Sequence, residues 1–130
     1  MLVNDLDALA QERLDDANAL LAAGRPTGAY YICGYAIELK LKARMCRVLH
    51  WPAYPPPSAP GDVARALKTH KLPVLLMLSG LETTIPVSHP AEWGVVARWD
   101  SEQRYKSAAA VTAQDAQTMI TATATLLPVL

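Results

Sequence analysis

The chain has 130 residues, 52% of them hydrophobic and 18% charged, with 12 basic side chains against 12 acidic ones. That size and composition suit one domain with one core that needs no staples. The zero balance excludes a global basic field for nucleic acid, so any such contact needs a local patch. No apolar run reaches the ~18 residues of a bilayer span, and no basic-plus-apolar leader pattern opens the chain.

A first helix is expected from Asn4, a good N-cap, with Asp5 and Asp7 in the dipole-favoured first turn. Leu6, Ala10, Leu14, Ala17 and Leu21 recur at helical spacing. Gly24 followed by Pro26 predicts the stop.

The second helix is expected from Thr27 to about His50. At 100° per residue, Tyr30, Gly34, Ile37, Leu41, Met45 and Val48 share one face. Ile32, Ala36, Leu39, Ala43 and Cys46 share a nearly opposite one. A helix apolar on two sides must be central, or covered by another subunit. Tyr31, Tyr35, Glu38 and Lys42 form a polar-aromatic seam between the faces. Lys40, Arg44 and Arg47 form a basic seam on the other side. Cys33 and Cys46 lie about 20 Å apart along this helix, too far for a bridge within it. Two free buried thiols fit a reducing cytoplasm.

Prolines at 52, 55, 56, 57 and 60 read as a stiff loop over residues 51–61, in which two P-x-x-P matches arise from proline density alone. A short helical turn is expected over Asp62–Leu67. Thr69 is then expected to cap a third helix, with Leu72, Leu75, Leu76 and Leu78 in the core and Ser79-Gly80 ending it. Pro86 and Pro90 bound a loop. A short helix follows over Pro90–Trp99, turning Trp93, Val96 and Ala97 inward. After a polar stretch over Asp100–Ser107, the last helix starts at Thr112, with Asp115 at its third position and Ala116, Ile120, Ala124 and Leu127 as the apolar line. No alternating strand pattern occurs. The fold class is therefore all-α, an up-and-down bundle of four to five helices in a single domain over 1–130.

Four pieces of the chain resemble the HEPN domain family (higher eukaryote and prokaryote nucleotide-binding). Leu14 through Arg25 is similar to its first helix and glycine stop. Gly28 through Ala43 is similar to its central helix, with a Glu-x-x-x-Lys at Glu38 and Lys42. Lys68-Thr69-His70-Lys71-Leu72 resembles its Lys-Thr-His-x-Leu segment, although Lys71 stands where an acidic residue is usual. Arg104-Tyr105 resembles the Arg-Tyr ahead of the last helix. The resemblance implies a helical bundle, often a homodimer, often encoded beside a small nucleotidyltransferase in a toxin–antitoxin-like pair.

The candidate ligand-binding residues are Tyr31, Tyr35, Glu38, Lys42, Lys68, Thr69, His70 and Arg104. On a helix buried on two sides, Glu38 and Lys42 need partners, either to fix packing or to line a polar pocket. Lys68, Thr69 and His70 at a helix N-terminus would make a phosphate seat. The leading expectation is a cytoplasmic binding module for a nucleotide or a nucleotidyltransferase, leaning away from an enzyme. One alternative is a metal-independent HEPN ribonuclease toxin acting on RNA. Its Arg-x(4 to 6)-His pattern is met formally by Arg44 with His50 and by Arg65 with His70, neither in the last helix. Another is a non-catalytic interaction scaffold. Neither a metal motif nor a cofactor motif is present, and no membrane partner is expected.

Overall fold

The computed structural model describes residues 1–105 and 111–130, and of Gln103 and Arg104 the backbone alone. Among the described residues it is all α, as expected, with no strand beyond one isolated bridge between Leu2 and Ala53. Seven α-helices follow in order: α1 (Val3–Ala22), α2 (Pro26–Val48), α3 (Gly61–Ala66), α4 (Leu72–Leu78), α5 (Ile85–Ser88), α6 (Pro90–Val96) and α7 (Ala113–Leu126). Single 3-10 turns span Ser101–Tyr105 and Leu127–Val129.

α1 and α2 are the two long rods, and Gly24 joins them in the left-handed conformation, φ 74°, where a glycine carries no Cβ penalty. They run antiparallel, because Lys40 and Arg47, late in α2, both pair with Asp7, early in α1. Leu6, Ala10, Leu14 and Ala17 are buried along that seam, each three or four residues from the next. α2 is the central element and meets α1, α4, α7 and the Ser101–Tyr105 turn. Both of its apolar faces are used: Ile37, Leu41 and Met45 are buried on one, and Ala36, Ala43 and Cys46 on the other. Neighbouring helices of the same chain cover the second face.

Several expected boundaries and core positions move. α1 begins at Val3 with Leu2 as a cap that offers no side-chain bond; the bridge from Leu2 to Ala53 fixes the entry instead of Asn4. α2 ends at Val48, and His50 takes φ 56° just beyond it. α4 starts at Leu72 with Lys71 as its cap residue. Thr69 Oγ1 accepts the Lys71 N–H at 3.2 Å, so it closes a turn ahead of the helix and does not cap it. Leu78 is exposed, because the buried face of α4 runs through Leu72, Leu75, Leu76 and then Ser79, and position 78 falls off it. Pro86 lies inside α5, not in a loop, at a first-turn position that needs no N–H. α6 stops at Val96. Ala124 is exposed, and Met119, Ala122, Thr123 and Leu126 complete the buried face of α7. The expected start of that helix holds: Thr112 and Asp115 form a reciprocal capping box, with both bonds at 3.0 Å.

The proline-rich loop is anchored. Tyr54 is buried and donates its hydroxyl to the Leu67 carbonyl at 2.5 Å. Its own carbonyl accepts the Met1 amine at 3.1 Å. A P-x-x-P segment with its tyrosine committed to the core is a connector.

Candidate functional site

The seam of α2 between its two apolar faces carries the chemistry. Tyr31, Tyr35, Glu38 and Lys42 succeed one another at three- and four-residue steps, so one stripe of the helix presents all four. Glu38 is only 3% exposed. An ionised carboxylate at that depth requires partners. It has two. Lys42 Nζ donates to Oε1 at 2.5 Å, and His70 Nδ1 lies 3.0 Å from Oε1 and 3.1 Å from Oε2. The charged pair that the sequence places on this helix is thus joined by a histidine 32 residues away, just ahead of α4.

Aromatic rings wall the cluster. The Tyr31 and Tyr35 hydroxyls are 3.0 Å apart. Tyr35 meets the His70 ring edge-on at a centroid distance of 6.2 Å and the Trp99 ring at 5.1 Å. Trp99 is buried and donates Nε1–H to the Tyr31 carbonyl at 3.0 Å. Lys42 Nζ sits 5.1 Å above the centre of the Tyr54 ring, a cation–π contact on the far side of the pair. Burial, and then the nearby Glu38 charge, push the Tyr54 phenol up to about 12, so it remains a donor at neutral pH.

Over this cluster opens a groove of about 690 Å³. The segment before α4 gives it Lys68, Thr69, His70 and Lys71, and the stretch just past α6 gives it Arg98 and Trp99. The carboxylates of Asp100 and Glu102 lie on the same rim. His70 is half-exposed and joins floor to groove: one ring nitrogen faces buried Glu38, and the ring borders the open space.

The structure therefore brings together Tyr31, Tyr35, Glu38, Lys42 and His70 directly, with Lys68 and Thr69 beside His70. It does not put Lys68–His70 on a helix N-terminus. The Arg104 side chain lies outside the described residues. Of the formal ribonuclease pairs, Arg44 with His50 is split between the body of α2 and the exposed residue past its end, and neither borders the groove. Arg65 is exposed on α3 and does not border the groove that holds His70. Among the described residues no group of three His, Cys, Asp or Glu side chains could hold a metal ion.

Sequence reasoning missed Arg98 and Trp99. Trp99 had a signal: Gly34 in the middle of α2, among large neighbours, marks a close approach. A Cβ at position 34 would fall inside the Trp99 indole.

Cys33 and Cys46 are free and buried. Burial pushes the Cys33 thiol up to about 12, and the Thr123 hydroxyl beside it offsets only part of that. Thr123 Oγ1 meets no partner at good hydrogen-bond geometry, so that contact is loose. Both thiols are packing groups, not nucleophiles.

Comparison with known proteins returns no matching family model, no matching curated protein and no matching solved structure.

Proposed function

We propose that this chain is a HEPN-type binding module that takes a nucleotide in the groove over Glu38 and His70. One observation carries the reading: Lys68, Lys71 and Arg98 border the same open space as His70 and Trp99. Lysine and arginine donors suit phosphate oxygens. The half-exposed ring of His70, backed by buried Trp99, supplies a surface for a base beside them. Lys42 and Glu38 lie deeper and hold His70 in place, so in this reading they shape the site and do not touch the phosphate.

The homodimer and the nucleotidyltransferase partner belong to the same proposal. Val74, Met77 and Leu78, exposed at helical spacing on α4 next to the groove, give apolar surface for such a contact. The buried free thiols agree with a cytoplasmic setting.

Isothermal titration of the whole chain with ATP and GTP tests the nucleotide reading. Binding should be seen, and Lys68→Ala and Arg98→Ala should each weaken it about tenfold, the worth of one charge-assisted hydrogen bond. No heat with either nucleotide, from folded wild-type chain, would remove it.

A further inference from the structure

We propose that His70 is a phosphoryl-acceptor residue, its Nε2 presented to the groove as a nucleophile by the Glu38 carboxylate behind it. The inference does not depend on nucleotide binding. It rests on where the imidazole proton must be. Both Glu38 oxygens lie within 3.1 Å of His70 Nδ1. An ionised carboxylate only accepts hydrogen bonds, so Nδ1 carries the proton. Lys42 already balances the Glu38 charge at 2.5 Å, and a neutral imidazole is enough to complete the shell. A neutral ring has one N–H, and Glu38 takes it. The lone pair is then on Nε2.

That nitrogen is free to react. Among the described residues Nε2 has no hydrogen-bond partner, and half of the side chain is open to solvent. Tyr35 packs edge-on against the ring and opposes its rotation. A nucleophile whose base-side nitrogen is oriented by a third group is the general arrangement of covalent catalysis, and a carboxylate on the far nitrogen fixes the tautomer and the ring orientation. The groove adds Lys68, Lys71 and Arg98 against Asp100 and Glu102, three cations to two anions, which favours the extra negative charge of a bound phosphoryl group.

The donor is a small phosphoramidate or acyl phosphate. The Nε2 lone pair forms an N–P bond as the donor's bond from phosphorus to its leaving group breaks. The leaving group departs with that electron pair, as ammonia from phosphoramidate already protonated on its nitrogen or as a carboxylate from an acyl phosphate. The ring becomes an imidazolium with its Nδ1 proton still facing Glu38, whose charge stabilises it. Nothing is oxidised or reduced.

The chain contains its own control. His50 is exposed just past α2 with no carboxylate paired to it among the described residues, and His89 Nδ1 is engaged by the Ser88 hydroxyl at 2.8 Å. The whole chain is incubated with phosphoramidate at neutral pH, and the phosphoryl group is located by peptide mass spectrometry and by phosphorus NMR. His70 should react about tenfold faster than His50. His70→Gln should abolish the fast phase, and Glu38→Gln should slow His70 about tenfold while His50 is unaffected. Equal rates at His70 and His50 would overturn the proposal, as would a His70 rate indifferent to Glu38→Gln in folded protein. Should Glu38→Gln unfold the chain, nitrogen-15 NMR of the wild type decides alongside the His70-to-His50 ratio. A neutral His70 protonated at Nε2 would end the idea.

Discussion

Gly34 and Trp99 share one contact in which only the absence of a side chain on α2 makes room for the indole. The flexible end of a long side chain could yield; an indole packed on two tyrosines and bonded to the Tyr31 carbonyl has nowhere to go. Gly34→Ala should therefore expel Trp99, even though alanine is the better helix former by about 1 kcal/mol. The expected net loss is about 3 kcal/mol of stability, read by urea unfolding, with a red-shifted tryptophan emission in the remaining native state. A stabilised Gly34→Ala chain would mean that the indole does not lie on residue 34.

Glu38 and Lys42 should fail to behave as independent sites. Lys42→Met leaves a buried carboxylate with the His70 N–H alone, and should cost about 3 kcal/mol. Glu38→Gln leaves an ammonium of which little is exposed, and should cost a similar amount. The double variant should be at least about 1 kcal/mol better than the sum of the two, because neither leaves an unpaired charge. A double-mutant cycle by chemical denaturation measures the coupling directly.

Base should destabilise this chain from about pH 9 upward. The Cys33 and Tyr54 protons are held to about 12, against ordinary values of 9.0 and 10.0. The native state then binds more protons than the unfolded one at alkaline pH. Stability is complete below the ordinary values and falls as pH climbs toward 12, by up to about 1.4 kcal/mol per pH unit for each group. Thermal unfolding across pH 7 to 11 checks the sign. For the same reason, native Cys33 should resist a thiol reagent at pH 8 and react once denaturant is added.

Thr112→Ala removes one half of the capping box and leaves the Asp115 N–H without its acceptor. The expected cost is about 1 kcal/mol. Thr112→Asp should recover most of it, as seen by the midpoint of thermal unfolding.

Much of this architecture could be read from residue spacing. The stripe of α1 and the two faces of α2 follow from periodicities long enough to average out single exceptions, and the Thr112 cap follows from its side-chain chemistry with Asp115 three residues on. The need of Glu38 and Lys42 for partners was legible too, because it follows from burial on a helix with two apolar sides. What failed were short-range extrapolations. Leu78 and Ala124 continue an apolar pattern on paper, yet each lies off the buried face of its helix, which continues past it at Ser79 and at Leu126. Thr69 has cap chemistry but stands two residues too early, since Pro73 fixes the first turn of α4. Trp99 and Arg98 sit past the end of α6, where no period applies, and only the fold brings them beside His70.

Tyr54 has a mechanical consequence for the groove over Glu38 and His70. Its ring lies under the Lys42 ammonium, while its hydroxyl grips the carbonyl of the residue just before Lys68. The proline span thus acts as a strut on the segment carrying Lys68 and His70. One phenol ties that span to the rim of the opening.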